Sequence, residues 1–252
     1  MKRLFLAFLA SFGMTALAAE PLIVAHRMGA GERDENVLPS LKECYAKGIR
    51  AYELDIHVTS DDKLYVSHDN SLKRRCGVEK DIEDLSSEDL GKIKTVAGNP
   101  IPTLKEMLSF LEGKSNVVLQ VEIKAPKIAE RLPRLVELAV EELRAHKFTD
   151  ERLLVISFSA EAMKLTKEKA PEIKTGFLCG GSDMKNIDVA KEIGCDWISA
   201  ELASTPRRFA DKVHKEGMKL ALWTIRADRD FTLAKDLEGD AIVTDYPVKY
   251  SK

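Results

Sequence analysis

The hydrophobic pattern alternates between two kinds of segment from residue 22 onward. Short apolar segments rich in β-branched residues have the length of strands, and most of the longer segments between them repeat with the period of a helix. The predicted strands comprise residues 23–26, 52–56, 64–67, 117–123, 153–158, 175–178, 196–199, 220–225 and 241–244. Because no linker rich in proline, glycine or serine interrupts the alternation, it indicates a single domain.

The segment 127–147 shows the helical pattern. Its apolar residues fall on one face of a helix and its charged residues on the other, with Pro133 in or near the first turn. The residues on the apolar face are Ile128, Leu132, Leu135, Ala139 and Leu143. The pattern predicts a helix that covers one face of a sheet.

Strands that alternate with helices predict an α/β protein with a parallel sheet under helical cover. The length favours a closed (β/α)8 TIM barrel, and a doubly wound open sheet is the alternative.

Eight strands close such a barrel, so one of the nine predicted strands is surplus. The link from residue 56 to residue 64 is too short for a parallel crossover, which predicts a β-hairpin after strand 2. A turn centred on Asp61 and Asp62 would place Asp55 roughly opposite His68.

The stretch from residue 70 to residue 102, called the insertion segment below, has no clear strand and helix of its own. It is rich in charged residues, and its apolar residues are scattered among them. We therefore expect an insertion over one mouth of the barrel, where it would shape a substrate pocket.

The N-terminus has the pattern of a secretory signal. Lys2 and Arg3 precede an apolar run at residues 4–12, and the small residues at 16–18 suit a signal peptidase. A membrane anchor is the alternative, but the run is shorter than the roughly 20 residues that span a bilayer. We predict a cleaved signal peptide at residues 1–19 and a barrel domain at 20–252, exported to the periplasm or secreted without a stable membrane anchor.

The composition narrows the function further. The 252 residues are 44% hydrophobic and 32% charged, which is typical of a globular domain with a sizeable core. The net charge is −2 and there is no basic block, which argues against nucleic acid as a partner. The four cysteines lack the close spacing of a zinc site, and we expect buried thiols with at most one disulfide.

Three carboxylates lie where two predicted strands end. Glu53 and Asp55 alternate along one strand and therefore share a face, and Glu122 ends another strand. Barrel enzymes keep their active sites at the carboxyl ends of the strands. Three carboxylates that converge there would repel one another unless a cation joined them. Because all the ligands are oxygens, the cation is a hard divalent metal, with Ca²⁺ preferred and Mg²⁺ the alternative.

Histidines and basic residues lie at the same strand ends. His26 and His68 supply two imidazoles that can take or give a proton near neutral pH. Arg27 and Lys124 follow strand residues at the same edge and could hold an anion between them. This set suits a phosphoryl centre better than a neutral carbonyl.

These residues belong to short motifs that occur in a fixed order. As a linked set, the motifs resemble the glycerophosphodiester phosphodiesterase family, whose barrel is related to that of phosphatidylinositol-specific phospholipase C. The matching motifs are His26-Arg27-Met28-Gly29, Glu35-Asn36-Val37, Glu53-Leu54-Asp55, His68-Asp69, Glu122-Ile123-Lys124, Trp223-Thr224 and Thr244-Asp245-Tyr246-Pro247. Met28 stands where the family usually has glycine, and Val37 stands where it has threonine.

The resemblance implies a small-molecule glycerophosphodiester substrate, hydrolysed to an alcohol and sn-glycerol 3-phosphate. It implies a metal held by Glu53, Asp55 and Glu122, with His26 and His68 as the acid–base pair. Phosphate-binding roles for Arg27 and Lys124 are implied as well. In the mechanism proposed for such enzymes, a glycerol hydroxyl attacks phosphorus and water then opens the cyclic phosphate.

Several alternatives stay open from the sequence. Trp223 either packs on the substrate or belongs to the barrel core, and Phe158 is similar. The leading substrates are head-group diesters such as glycerophosphocholine. Lysophospholipase D-type activity on a lipid phosphodiester is a second hypothesis, and a non-catalytic barrel that binds phosphate- or sugar-containing ligands is a third.

Overall fold

The computed structural model of the protein describes residues 20–149 and 151–251. The strands are β1 (Leu22–Ala25), β2 (Ala51–Val58), β3 (Leu64–Val66), β4 (Val118–Ile123), β5 (Leu153–Ser157), β6 (Lys174–Gly180), β7 (Trp197–Glu201), β8 (Lys219–Ile225) and β9 (Ala241–Thr244). All except β3 are parallel and form a ring, which closes because β1 pairs with both β2 and β9. The predicted TIM barrel is confirmed. The predicted signal peptide lies outside the described residues.

The helices lie on the outside of the ring. They are α1 (Leu38–Ala46), α2 (Lys73–Cys76), α3 (Ser87–Leu90), α4 (Leu104–Leu111), α5 (Leu132–Ala145), α6 (Ala160–Lys169), α7 (Lys185–Ile193), α8 (Arg207–Lys215), α9 (Asp228–Asp236) and α10 (Pro247–Tyr250). The largest hydrophobic cluster joins the outer face of the strands to the helices. Among the described residues, no helix is both long and apolar enough to cross a bilayer.

The inside of the barrel holds a second hydrophobic cluster, distinct from the one between the strands and the helices. Small and β-branched side chains from four strands fill its lower part, among them Val24, Ala51, Ala221 and Val243. Their small volume leaves room for the ring of Trp197, at the amino end of β7, to pack against them. The barrel interior is therefore a filled support beneath the upper mouth.

Helix α5 begins later than the sequence pattern predicted. A short 3₁₀ turn, Ala129–Arg131, precedes it, and Ile128 is 57% exposed rather than buried. Pro133 lies in the first turn of the helix, where its missing N–H costs no hydrogen bond. Because proline at this position needs no hydrogen-bond donor, Pro133 suits the start of the helix and does not interrupt it.

The predicted hairpin after β2 is confirmed, with a register one residue earlier. Ile56 pairs with Val66, and the carbonyl of Asp55 accepts a hydrogen bond from the amide of Ser67 at 3.0 Å. Asp55 therefore lies opposite Ser67 rather than His68. The turn is centred on Asp61 because Asp62 adopts a left-handed conformation (φ 61°), which closes a three-residue loop.

The insertion segment has a small core of its own, which the sequence pattern did not reveal. It includes Leu72, Ile82, Leu85 and Leu90, and it packs against Tyr65 of β3. The segment lies beside the barrel mouth, where it contacts the loops that follow β1 and β4. The expectation of an insertion at one mouth is therefore confirmed.

The four cysteines are free thiols. Cys44, Cys179 and Cys195 are buried, and Cys76 is half-buried. Burial raises the pKa of Cys44 to about 11 and that of Cys179 to about 12, so both are protonated at neutral pH. They act as small core residues.

Candidate active site

A cavity of about 710 Å³ opens at the carboxyl ends of the barrel strands. Its volume is within the range of small-molecule sites, and its place is where barrel enzymes bind substrates. Seven of the eight predicted site residues line it: His26, Arg27, Glu53, His68, Glu122, Lys124 and Trp223. The eighth, Asp55, is fully buried beside them.

The three predicted carboxylates converge at the base of this cavity. Glu53 and Asp55 alternate on β2, and Asp55 is the register partner of Glu122 on β4. One oxygen from each of these side chains lies within 4.8 Å of the others. All three residues are at most 7% exposed. The arrangement follows from parallel pairing, which brings residues at equivalent heights on neighbouring strands to the same face.

The three carboxylates repel one another when no further positive charge lies among them. Burial raises the pKa of Glu53 well above its usual range, and the charges of Asp55 and Glu122 raise it further. Burial and the charge of Asp55 raise the pKa of Glu122 to about 7. Burial also opposes ionisation of Asp55, but the charges of Lys124, His68 and Arg27 together outweigh it and lower the pKa. A divalent cation among these oxygens would relieve the repulsion, so the donor set fits a hard metal ion.

The two basic residues predicted to bind phosphate lie next to the cluster. Lys124 Nζ is 2.8 Å from Asp55 Oδ1 and 2.6 Å from Glu122 Oε1. The backbone N–H of Arg27 donates to Glu53 Oε2 at 2.9 Å, and its guanidinium lies 3.8 Å from Asp55. Both side chains also line the cavity, so they bring positive charge to its polar half.

His26 is held by a carboxylate from the end of β9. Its Nδ1 lies 2.5 Å from Asp245 Oδ1, and Arg226 Nε donates to Asp245 Oδ2 at 2.6 Å. Burial opposes ionisation of Asp245, but the hydrogen bond from His26 and the charges beside it keep its pKa low. The aspartate therefore stays ionised, and Nε2 is the ring nitrogen of His26 that remains for a substrate.

His68 has a similar support from Asp69, which Arg74 of the insertion segment contacts in turn. Its Nδ1 lies 2.6 Å from Asp69 Oδ1, and Arg74 Nε donates to Asp69 Oδ2 at 2.5 Å. Burial lowers the pKa of His68, and the charges of Lys124 and Arg27 lower it further. These effects favour the neutral imidazole at neutral pH. Each of the two histidines thus has one nitrogen occupied by a carboxylate that an arginine partly neutralises.

Methionine is tolerated at position 28, in the turn that carries His26, because its side chain packs in the core and away from the cavity. Arg27 (φ 49°) and Met28 (φ 64°) both have left-handed backbone, which favours glycine. The Met28 side chain is fully buried in the main hydrophobic core and does not line the cavity. Its packing offsets the backbone strain, and its bulk lies away from the substrate space.

Sequence reasoning missed three supporting residues. Asn36 is buried and donates from Nδ2 to Asp55 Oδ2 at 2.7 Å. Asp245 and Asp69 hold the two histidines. All three belong to motifs noted in the sequence, but only the tertiary structure shows which side chain each one contacts.

The side of the cavity opposite the acidic cluster carries several large apolar side chains. Phe158, just after β5, is 54% exposed and contacts Trp223 of β8 edge to face, with ring centroids 5.8 Å apart. Both line the cavity, as do Leu178 and Leu233. Trp223 also packs against the apolar residues inside the barrel, so it joins the barrel core and borders the cavity.

The fold and this site define a TIM-barrel protein with an acidic cluster and two aspartate-supported histidines in one cavity. Comparison with known families gives a match over residues 26–249 to the model of the "Glycerophosphoryl diester phosphodiesterase family". The chain belongs to this family.

Relatives and solved structures agree with the family. The chain is 25% identical to a glycerophosphodiester phosphodiesterase of Caldanaerobacter subterraneus, over 90% of this chain and 94% of that one. It is also 25% identical to a human lysophospholipase D, over 90% of this chain and 83% of the human protein. A phosphodiesterase of Oleispira antarctica, solved in complex with the product sn-glycerol-3-phosphate, superposes with a TM-score of 0.85 at 23% identity, over 92% of this chain and 95% of that one.

Proposed function

We propose that the protein hydrolyses glycerophosphodiesters to an alcohol and sn-glycerol 3-phosphate, with a divalent cation and with His26 and His68 as the acid–base pair. The observation that carries the proposal is the common cavity, in which two aspartate-supported imidazoles and the carboxylate cluster lie together. Family membership and the names of the relatives support it. The sequence of the N-terminus supports export as the setting.

Glu53, Asp55 and Glu122 would hold the cation, for which Ca²⁺ and Mg²⁺ both suit the oxygen ligands. When bound, it supplies positive charge that orients the glycerol hydroxyls and offsets the negative charge of the transition state. Arg27 and Lys124 would bind the phosphate oxygens, and their charges favour the more anionic transition state over the substrate.

The histidines would move the protons. One takes the proton of the attacking glycerol hydroxyl at Nε2, and the other gives a proton to the oxygen of the departing alcohol. Water then opens the cyclic phosphate with the two roles exchanged, which restores both imidazoles. The carboxylates of Asp245 and Asp69 hold the rings in one orientation throughout.

The test is release of sn-glycerol 3-phosphate from glycerophosphodiesters by purified protein, with and without chelator. We expect turnover that depends on the cation and that falls by about 10²- to 10⁴-fold in His26→Ala and in His68→Ala. His214→Ala is the matched control, because His214 pairs with Asp240 and does not line the cavity. Turnover that survives both chelation and the loss of His26 would contradict the proposal.

Lysophospholipase D activity is a second candidate, supported by exposed apolar side chains at the mouth. Phe158 and Leu233 are 54% and 44% exposed, and both line the cavity. Comparison of glycerophosphocholine with lysophosphatidylcholine under the same conditions separates the candidates. A higher kcat/KM for the lipid would establish the second one.

A further inference from the structure

The cavity has two chemically different halves. The half near β1, β2 and β4 contains the histidines and the acidic cluster. The half near β5, β7 and β8 contains the aromatic rings of Phe158 and Trp223 together with the carboxylate of Glu201. If the glycerol and phosphate occupy the first half, the alcohol on the other side of the phosphorus extends into the second.

The aromatic rings form two walls of a corner. Phe158 and Trp223 meet at 85°, with their centroids 5.8 Å apart. More than half of the Phe158 surface is exposed, although the side chain is large and apolar. The faces of aromatic rings attract cations through their negative electrostatic potential, and paired rings bind quaternary ammonium groups in this way.

Glu201 adds a full negative charge to this corner. It ends β7 and is the register partner of Trp223, so both side chains start at the same height on neighbouring strands. Within residues 20–149 and 151–251, its carboxylate has no cationic partner, and Ser204 Oγ is 3.1 Å from Glu201 Oε2. An exposed carboxylate beside two aromatic rings is suited to a positively charged ligand.

The other charged residues in this half are already matched. Arg226 donates to Asp245, as described above. Asp230 accepts hydrogen bonds from the backbone N–H groups of Arg226 and Ala227, at 3.3 and 3.0 Å. Arg229 lies 3.5 Å from Asp230, and its side chain is 90% exposed. Glu201 is therefore the charge in this half that remains for a ligand.

We propose that Phe158, Trp223 and Glu201 form a subsite for a cationic alcohol, so that the protein selects diesters whose leaving group carries an ammonium. The inference rests on the proposed function, because it identifies the alcohol of that reaction. Phe158 and Glu201 act on the specificity for the alcohol and take no part in proton transfer.

The first test compares kcat/KM for glycerophosphocholine and for glycerophosphoglycerol, whose alcohol is uncharged. We expect Glu201→Gln to lower the value for the choline diester by about tenfold, and Phe158→Leu by about threefold or more, with little change for the glycerol diester. Phe158→Leu keeps the apolar volume and removes the ring, so it separates cation–π attraction from simple packing. Glu192→Gln is the control for charge alone, because Glu192 is exposed and lies outside the cavity.

A second test is independent of turnover. Calorimetry would measure binding of choline and of its neutral isostere, 3,3-dimethyl-1-butanol, to the intact protein. We expect choline to bind more tightly than the isostere, and this difference to disappear in Glu201→Gln.

The outcomes separate the subsite from the proposed function. Hydrolysis of both diesters at a ratio that neither variant changes would overturn the subsite and leave the function standing. If the protein hydrolysed neither diester but bound choline in a way that depends on Glu201, the subsite would stand and the proposed function would be overturned. Equal binding of choline and its isostere would also overturn the subsite.

Discussion

At the scale of single residues, Asp245 determines which ring nitrogen of His26 remains for the proposed proton transfer. Its carboxylate lies 2.5 Å from Nδ1, which leaves Nε2 for the substrate. In Asp245→Asn, an amide of the same shape no longer stabilises the charged imidazolium. We expect kcat for glycerophosphocholine to fall by about 10²-fold, with KM changed much less.

A second histidine–aspartate pair gives the control for this prediction. Asp240 accepts from His214 at 3.1 Å outside the cavity, so Asp240→Asn should leave kcat near the wild-type value. Thermal unfolding of both variants would show whether either loses its fold. A rise in KM alone for Asp245→Asn would mean that the aspartate acts on binding instead.

Asn36 acts on the acidic cluster through one hydrogen bond. It donates to Asp55 Oδ2 at 2.7 Å from a left-handed backbone position (φ 54°). Glycine adopts this backbone without strain, so Asn36→Gly removes the buried side chain and its hydrogen bond without straining the turn. We expect the affinity for Ca²⁺ to fall by about 10- to 100-fold, as measured by calorimetry on metal-free protein.

Lys147→Gly is the matched substitution for Asn36→Gly. Lys147 also has left-handed backbone (φ 58°), and it is exposed and does not line the cavity. The Ca²⁺ affinity of this variant should equal that of the wild type. Equal affinities in all three proteins would show that Asn36 does not position a metal ligand.

At the scale of elements, Arg75 fastens the insertion segment to the barrel. It is 5% exposed, and its guanidinium donates to the carbonyl of Glu35 and lies 3.7 Å from Asp34. Arg75→Met would keep most of the apolar stem and remove both the hydrogen bond to Glu35 and the positive charge beside Asp34. We expect the free energy of unfolding in urea to fall by about 3 kcal/mol.

Lys73 on the same short helix provides the comparison. It pairs with Glu79, but both side chains are more than two-thirds exposed. Such pairs contribute about 0.2–1 kcal/mol, so Lys73→Met should be nearly neutral. Hydrogen exchange should also become faster in residues 70–102 of Arg75→Met and remain unchanged in Lys73→Met. Similar losses in both variants would contradict a special role for Arg75.

The elements differ in how far the sequence predicted them. The strand segments followed from local composition, because a parallel strand is buried on both faces and reads as an apolar run. The small core of the insertion segment was missed because its apolar residues are far apart in the chain and follow no period. The hairpin register depended on the left-handed backbone of Asp62, which the residue type permits but does not require.

At the scale of the whole molecule, the cavity joins residues that the chain separates widely. The predicted residues came from motifs at strand ends, and seven of them line one cavity because a barrel brings all these ends to one face. The residues that hold the two histidines and Asp55 in place were not predictable in the same way. The contact between His26 and Asp245 spans 219 positions, and only ring closure between β1 and β9 brings them together.

A cation held by the acidic cluster would also affect the stability of the whole barrel. Without a cation, burial of three neighbouring carboxylates opposes folding, as the raised pKa values of Glu53 and Glu122 indicate. A ligand that binds only the folded protein at 100 times its Kd stabilises it by about 2.7 kcal/mol. For a domain of this size we expect Ca²⁺ to raise Tm by roughly 5–10 °C relative to chelator.

Substitution of one ligand should raise the Tm in chelator and weaken the effect of Ca²⁺. Glu53→Gln removes a buried carboxyl group whose ionisation opposes folding, so in chelator its Tm should exceed that of the wild type, and added Ca²⁺ should raise it much less. Glu192→Gln, an exposed position outside the cavity, should follow the wild type in both conditions. If Glu53→Gln melted below the wild type in chelator, repulsion within the cluster would not limit stability. The carboxylates would then be held by Lys124 and Arg27 alone, and the argument for a cation would rest on catalysis.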